Sequence, residues 1–439
     1  MNFLVFIDHG SAPGTRVSKC EYDSYSGLTF RSTAMTSSTL SAASSPDAAL
    51  RPDQRLSVRY RFDDPNMDLF FMSALSMGPA GGLDIGQAFH VASRIVDGDA
   101  DSWVQAFGEY GELQQAQADI WAKRGWQQAA GEARLKAFAS YRSAWQFAAP
   151  GGEAFVSLYR RHQRAFAQAM NELNLPATFF SVPYESASLP GLFLRNARAD
   201  APIVLVIGGA DTSMEDLFLS YGRALWQRGY SVAIADLPGQ GITALGGLHW
   251  EVTPERSIGA VIDTLVAQFG ATPGRLALIG LSLGGYFATR AAQFEPRLAT
   301  VVASTPFPEP GRLFEASVRS AMQSGAGTPS TAALRSWQTS MWKSGTPTPE
   351  AFLARWAEAK ADPEQTTVPF LSILGGGDSP VFTAQARDWH ARLRSERKDL
   401  VFLDASTGAD GHCQVNARIR LVQEASGWMG EIFGAAGRS

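Results

Sequence analysis

Residues 275–294 read RLALIGLSLGGYFATRAAQF. Leu276 to Ile279 form a short apolar run, as expected of a strand covered on both faces. Gly285 to Gln293 continue as a helix, and the turn between them is Gly280-Leu281-Ser282-Leu283-Gly284. A serine placed at a tight strand-to-helix turn sits on strained backbone, and the flanking glycines let strand, turn and helix approach without side-chain clashes. The Gly-x-Ser-x-Gly spacing is common by itself. Its position between a buried strand and a helix is what points to a nucleophile elbow.

The chain around this turn has 439 residues, of which 45% are hydrophobic, 11% aromatic and 18% charged. That is enough to bury a large core and far too apolar for wholesale disorder. With 38 basic and 42 acidic residues, the net charge of -4 offers no electrostatic reason to bind polyanions, which excludes nucleic acid as the main ligand. The longest strongly apolar stretch, Ile203 to Ala210, contains two glycines and falls far short of the ~18 residues of a spanning helix, so no membrane association is expected. The opening MNFLVFIDHG has no basic residue before its short apolar run Phe3 to Ile7, a poor match to a secretory signal, and the protein reads as cytoplasmic. Cys20 and Cys413 lie near opposite ends of the chain. Two thiols can build neither a disulfide framework nor a closed zinc site, so no metal and no cofactor is expected.

The organisation divides into three parts. Residues 1–58 have scattered apolar residues and a Ser/Thr/Ala-rich stretch from Ser32 to Ser45, a composition that buries too little to offset chain entropy. They read as a mobile extension, and Met35 or Met67 offers an alternative start. Residues 59–175 read as a helical cap domain, with Asp101 and Ser102 as capping residues before the stripe Trp103, Val104, Phe107 and Tyr110, and a second stripe from Phe155 to Leu173 that takes in His162 as a packing residue. From residue 176 to 439 strands alternate with helices, the rhythm of a mostly parallel sheet. Strands are expected around Phe180 to Tyr184, Leu192 to Leu194, Ile203 to Ile207, Ser231 to Ala235, Leu276 to Ile279, Phe370 to Leu374 and Leu400 to Leu403. Helices are expected from Glu215 to Arg228 and, after the cap Thr253, up to Gly270. Residues 304–367 break the alternation and read as a helical insertion over the catalytic face, carrying Trp337, Trp342 and Trp356. The fold class is therefore α/β.

A serine hydroxyl is a poor nucleophile at neutral pH and needs a base, and at an elbow of this kind the chain order is serine, acid, histidine. Only His390 and His412 follow Ser282. His390 sits in a helical run beside Trp389 and among arginines, where a solvated helix face accounts for it. His412 lies in a loop between the last predicted strand and the terminal helix, where the base belongs. For the acid, Asp378 follows the strand Phe370 to Leu374 through three glycines, at a strand's carboxyl end, where function collects in open α/β sheets. Asp404 and Asp410 compete, and Asp378 is favoured by its turn before a helix. The oxyanion needs amide donors, expected from Leu283 and from Gly209 or Ala210 in the run Ile207-Gly208-Gly209-Ala210-Asp211. The glycines at 208 and 209 lack the spacing of a dinucleotide fingerprint, and Cys413 beside His412 reads as a passive neighbour.

On these residues the chain resembles the α/β-hydrolases with a helical amino-terminal domain, a group that includes 2,6-dihydroxypseudooxynicotine hydrolase, the fungal pigment hydrolases that shorten polyketides, and the fermentation-respiration switch protein. The similar stretches are FDDPNMD (62–68), GGLDIGQ (81–87), DGDADSW (97–103), GGADTSMED (208–216), ADLPGQG (235–241), GLSLGGYF (280–287) and GHCQ (411–414). The resemblance implies an α/β-hydrolase fold with Ser282, Asp378 and His412 as triad. It also implies an auxiliary acid just after the oxyanion-loop glycines, where Asp211 stands one methylene shorter than the group's glutamate; the alternative reading of Asp211 is a cap on the following helix.

Together these readings predict a serine-nucleophile hydrolase acting on a small apolar or aromatic carbonyl compound in secondary metabolism or catabolism. The bond broken is carbon-carbon in a β-diketone-like group, or an ester or thioester. Helices of the cap domain and the insertion would roof the pocket, with their tryptophans as lining, and the partner set allows a homodimer. The competing readings are an acyltransferase or cyclase working through the same acyl-enzyme, and a non-catalytic regulatory protein that keeps the fold.

Overall fold

The structure is a computed structural model that describes residues 54–323 and 328–436, the side chains of 320–323, 435 and 436 excepted. All of these belong to one compact unit, Ala49–Ser439. The extension expected over residues 1–58 lies outside the described residues as far as residue 53, as does Cys20.

Helices occupy the amino-terminal part: α1 (Pro65–Ser76), α2 (Ile85–Ala92), α3 (Ala100–Lys123), α4 (Gln127–Gln146) and α5 (Glu153–Glu172). Their starts follow from side-chain caps. Asp64 accepts from the amides of Asn66 and Met67 ahead of Pro65, and Asp99 accepts from Asp101 N–H, so Asp101 and Ser102 stand inside the first turn of α3 rather than capping it. α4 packs against both α3 and α5 and is buried along most of its length, including Arg134, Arg142 and Gln146. Such a helix can bury cations only if each finds a partner: Arg134 pairs with Glu172 at 2.8 Å, and Arg142 with Asp216.

The sheet follows. Strands β1 (Ala177–Tyr184), β2 (Ala187–Leu194) and β3 (Ile203–Ile207) precede a helical run whose middle, Phe218–Gly222, is a π-helical turn between α6 (Met214–Leu217) and α7 (Arg223–Gln227). Then come β4 (Ser231–Ala235), α8 (Glu255–Phe269), β5 (Leu276–Leu281), α9 (Leu283–Phe294) and β6 (Leu298–Ser304). Three helices of the insertion, α10 (Pro310–Gln323), α11 (Thr331–Ser344) and α12 (Pro349–Ala357), lead to β7 (Phe370–Gly375), α13 (Pro380–Arg392), β8 (Lys398–Leu403) and α14 (Arg418–Ala436). Among the described residues the strands form one eight-stranded sheet in the order β1-β2-β4-β3-β5-β6-β7-β8, antiparallel at β1/β2 and β2/β4 and parallel elsewhere.

β3, β4 and β5 are buried at every position because helices cover both faces, which explains their unbroken apolar runs. The period of two still sorts their side chains. Val204 and Val206 pack into the core shared with α1–α5, whereas Ile203, Leu205 and Ile207 pack into a second core with α8 and α9.

Strand β6 is absent from the sequence reading because Thr300 and Ser304 dilute its apolar pattern. Both are buried and bonded, Thr300 Oγ1 to the Pro369 carbonyl at 3.0 Å and Ser304 Oγ to Gln414 Oε1 at 3.0 Å. Three of the expected lining tryptophans are core residues. Trp103, Trp145 and Trp356 are at most 2% exposed, and the Trp103 indole donates to the Ser143 carbonyl at 2.7 Å. Helical region and insertion do meet: Ala100 N–H donates to Thr331 Oγ1 at 2.8 Å, and the Phe155 and Trp342 rings lie edge to face at 5.2 Å. No helix among the described residues is long and apolar enough to cross a membrane.

Leu205 has no exposed surface in the central strand, and Leu205→Ala should lower unfolding free energy in urea by about 2–5 kcal/mol without changing the slope of the transition; a loss under 1 kcal/mol would contradict this packing.

Candidate active site

Parallel pairing brings the carboxyl ends of β3, β5, β6 and β7 to one edge of the sheet. Ile207 stands beside Gly280, Gly280 beside Ala303, and Ala303 beside Ser372, so the turns that follow these residues share one crevice. Ser282 occupies the turn after β5 with φ 56° and ψ −120°, a backbone region that a side-chain-bearing residue enters only under constraint. Its amide is held by the Ser304 carbonyl at 2.7 Å. The turn is this tight because its neighbours have no side chain: a Cβ on Gly284 would come within 2.4 Å of the Gly208 carbonyl oxygen, and one on Gly209 within 2.6 Å of Ser282 Cβ.

Ser282, His412 and Asp378 form a hydrogen-bonded chain. His412 Nε2 lies 2.9 Å from Ser282 Oγ, and His412 Nδ1 lies 2.7 Å from Asp378 Oδ1. The Asp378 side chain is fully buried, and Thr305 Oγ1 donates to its other oxygen at 3.0 Å. An anion in that position needs such donors, and it acts on the imidazole. Burial opposes the charged form of His412, but the adjacent Asp378 carboxylate and, after it, Cys413 together outweigh it and raise the His412 pKa above the ordinary value. The competing acids are engaged elsewhere. Asp404 caps the turn Ala405–Thr407, while Asp410 accepts from Asn416 Nδ2 at 2.9 Å and from the Ser57 hydroxyl. His390 is half-buried on α13, and burial lowers its pKa.

Leu283 opens α9, so its amide has no partner within the helix. Among the described residues, none accepts a hydrogen bond from the amides of Leu283, Gly209 or Ala210. Asp211 does not cap the next helix. Ser213 holds the N-cap position, its N–H donating to Asp216 Oδ2 at 3.2 Å, and the Asp211 carboxylate instead accepts from Gln146 Nε2 at 3.2 Å. Among the described residues no group of three or more His, Cys, Asp or Glu side chains is disposed to hold a metal ion.

Two features escape the sequence reading. Thr305 follows the unpredicted strand β6. Residues 54–57, assigned there to the extension, lie against the loops of Asp378 and His412: His412 N–H donates to the Arg55 carbonyl at 2.8 Å, Ser379 N–H to the Gln54 carbonyl at 3.1 Å, and the Arg55 guanidinium sits 4.6 Å above the Phe382 ring, itself 5.2 Å from His412. A polar strap of this kind has no periodic apolar pattern to announce it. His162, read as a satisfied packing residue, is fully buried among Phe138, Trp145 and Tyr159 with no hydrogen bond to either ring nitrogen; Glu215 Oε2 is 3.6 Å away.

The model of the alpha/beta hydrolase family matches residues 204–428, and the esterase FrsA-like family matches residues 93–308. Among curated proteins, 20-hydroxy-prefusarin hydrolase FUS2 of Gibberella moniliformis is 30% identical over 246 residues, 53% of this chain and 58% of that protein. Hydrolyase poxO of Penicillium oxalicum is 31% identical over 252 residues, 54% of this chain and 59% of that protein. The chain thus spans a little over half the length of the curated relatives it matches. Among solved structures, 2,6-dihydroxy-pseudo-oxynicotine hydrolase superposes with a TM-score of 0.66 at 20% identity, over 82% of this chain and 96% of that one. AbyA5 superposes with a TM-score of 0.61 at 17% identity, over 86% and 99%. At these identities the likeness is one of fold.

Asp378→Asn removes the charge that raises His412, so the imidazole pKa followed by NMR titration should fall; an unchanged or higher value would contradict the electrostatic account.

Proposed function

The chain belongs to the alpha/beta hydrolase family, and from that premise we propose that it is a serine-nucleophile hydrolase with Ser282, His412 and Asp378 as triad. The observation that carries this reading is the unbroken hydrogen-bonded chain from Ser282 Oγ through the imidazole to Asp378, on a strained strand-to-helix turn. The amides of Leu283, Gly209 and Ala210, which have no acceptor among the described residues, are consistent with it.

In this reading Ser282 Oγ attacks the carbonyl carbon as its proton passes to His412 Nε2, and Asp378 holds the imidazole in orientation and stabilises the imidazolium. Leu283 N–H with Gly209 or Ala210 N–H receives the negative charge that develops on the carbonyl oxygen. Collapse breaks the bond to the leaving group, which takes the proton from His412, and leaves an acyl group on Ser282. Water then attacks the acyl carbon, giving its proton to His412, and Ser282 departs with that proton restored. The leaving group is an alcohol or thiol for an ester or thioester, or the carbon of an enolate for a β-diketone-like group. Asp211, half-buried beside Ala210, is the residue we assign to proton handling at the leaving group.

The match to a 20-hydroxy-prefusarin hydrolase supports hydrolysis of a metabolite. We assign the protein to hydrolysis of such compounds, carbon-carbon or ester, in secondary metabolism or catabolism.

Ser282→Ala should lower turnover of p-nitrophenyl esters or β-diketones by about 10⁴-fold or more while leaving the far-UV spectrum intact; unchanged turnover would refute the assignment. The base must be neutral to act, so kcat/KM should fall as pH drops through the His412 pKa, which the Asp378 carboxylate sets above the ordinary ~6.5; a rate independent of pH on the acid side would exclude His412 as base.

A further inference from the structure

The loop after β3 has every carbonyl from Gly208 to Asp211 taken by a side chain of another element. Gln240 Nε2, from the turn after β4, donates to the Gly208 carbonyl at 2.6 Å and to the Gly209 carbonyl at 3.3 Å. Lys343 Nζ, from α11 of the insertion, donates to the Ala210 carbonyl at 2.8 Å. The Arg142 guanidinium, from α4 of the helical region, donates to the Asp211 carbonyl and also pairs with Asp216. Gln240 and Lys343 are no more than 1% exposed.

Direction follows from the planarity of the peptide. In a trans peptide the N–H and C=O groups point to opposite sides. Anchoring the Gly208 and Gly209 carbonyls on Gln240 therefore turns the amides of Gly209 and Ala210 away from Gln240. Gln240 cannot exchange its own two ends, because its Oε1 accepts from Leu237 N–H at 2.9 Å, which fixes Nε2 as the donor to the loop. Lys343 is an expensive choice of anchor. Burial pulls its pKa down to about 8, against the pull of Asp211 in the other direction. Its ammonium also sits 5.0 Å over the Trp145 ring, itself on α4. An apolar residue would fill the space at lower cost, but only a donor can hold the Ala210 carbonyl.

We propose that Gln240 is a positioning residue that aims the Gly209 and Ala210 amides, and that Lys343 and Arg142, which hold the next two peptides, fix the far end of the same loop, so that the insertion and the helical region bear on the reactivity of Ser282. This rests on the serine-nucleophile reading. The role differs from packing because it acts on the transition state: the substrate carbonyl is still planar on binding, and well-aimed amides matter most once its oxygen carries charge.

The test is Lys343→Met and Gln240→Glu, both close in volume to the native side chain. The full-length protein is reacted with a fluorophosphonate probe and assayed with p-nitrophenyl butyrate. Each variant should phosphonylate and turn over about tenfold to a hundredfold more slowly with KM changed by less than about twofold, and should keep its near-UV circular dichroism. Folded variants that label at the wild-type rate, or that change KM alone, would overturn the proposal. Should Lys343→Met lose its fold, Gln240→Glu still decides. Failure of the wild type to label, or labelling that survives Ser282→Ala, would instead remove the nucleophile reading, and the proposal with it.

Discussion

The structure depends on how closely the backbone at Gly208 and Gly209 approaches the turn at Ser282. β3 and β5 run side by side, with Ile207 paired to Gly280, and both chains must leave the sheet at the same level. One continues into a loop and the other into α9. The absence of side chains at Gly209 and Gly284 lets them do so without pushing Ser282 off its strained conformation. The same approach is what the proposed oxyanion site requires, since its amides come from both turns.

Everything farther out holds that arrangement in place. Asp378 is buried and bonded to Thr305 as well as to His412, so the imidazole has one orientation available. The His412 loop is tied from behind, Cys413 Sγ to the Ser304 carbonyl at 3.0 Å and the Cys413 carbonyl to the Tyr221 hydroxyl at 2.8 Å, while residues 54–57 hold it from the front. The helical region and the insertion both reach the loop after β3, through Arg142 and Lys343, and each of those cations lies over the Trp145 ring.

How much of this was legible in the sequence follows from the kind of signal each feature leaves. The elbow, the buried strands β3, β4, β5 and β7 and the order serine, acid, histidine all write local patterns: apolar runs, glycines at fixed offsets, a histidine in a loop before the last helix. Asp378 could be preferred over Asp404 and Asp410 from its strand-end turn before a helix, whereas Asp404 also follows a strand directly. Strand β6 was missed because buried Thr300 and Ser304 find partners only through the tertiary fold. Gln240 lies in the ADLPGQG stretch, but nothing local tells which carbonyls its amide reaches. Lys343 reads as one more polar residue on a helix until α11 is seen against the loop after β3. The strap at 54–57 makes its contacts largely through backbone carbonyls, which any residue supplies.

The most direct measurement is a crystal structure of the protein after reaction with a fluorophosphonate. The account predicts phosphorus bonded to Ser282 Oγ, with one phosphonyl oxygen within about 3 Å of Leu283 N and of Gly209 N or Ala210 N. His412 should remain bonded to Asp378. An adduct on another residue, or a phosphonyl oxygen turned away from these amides, would contradict it.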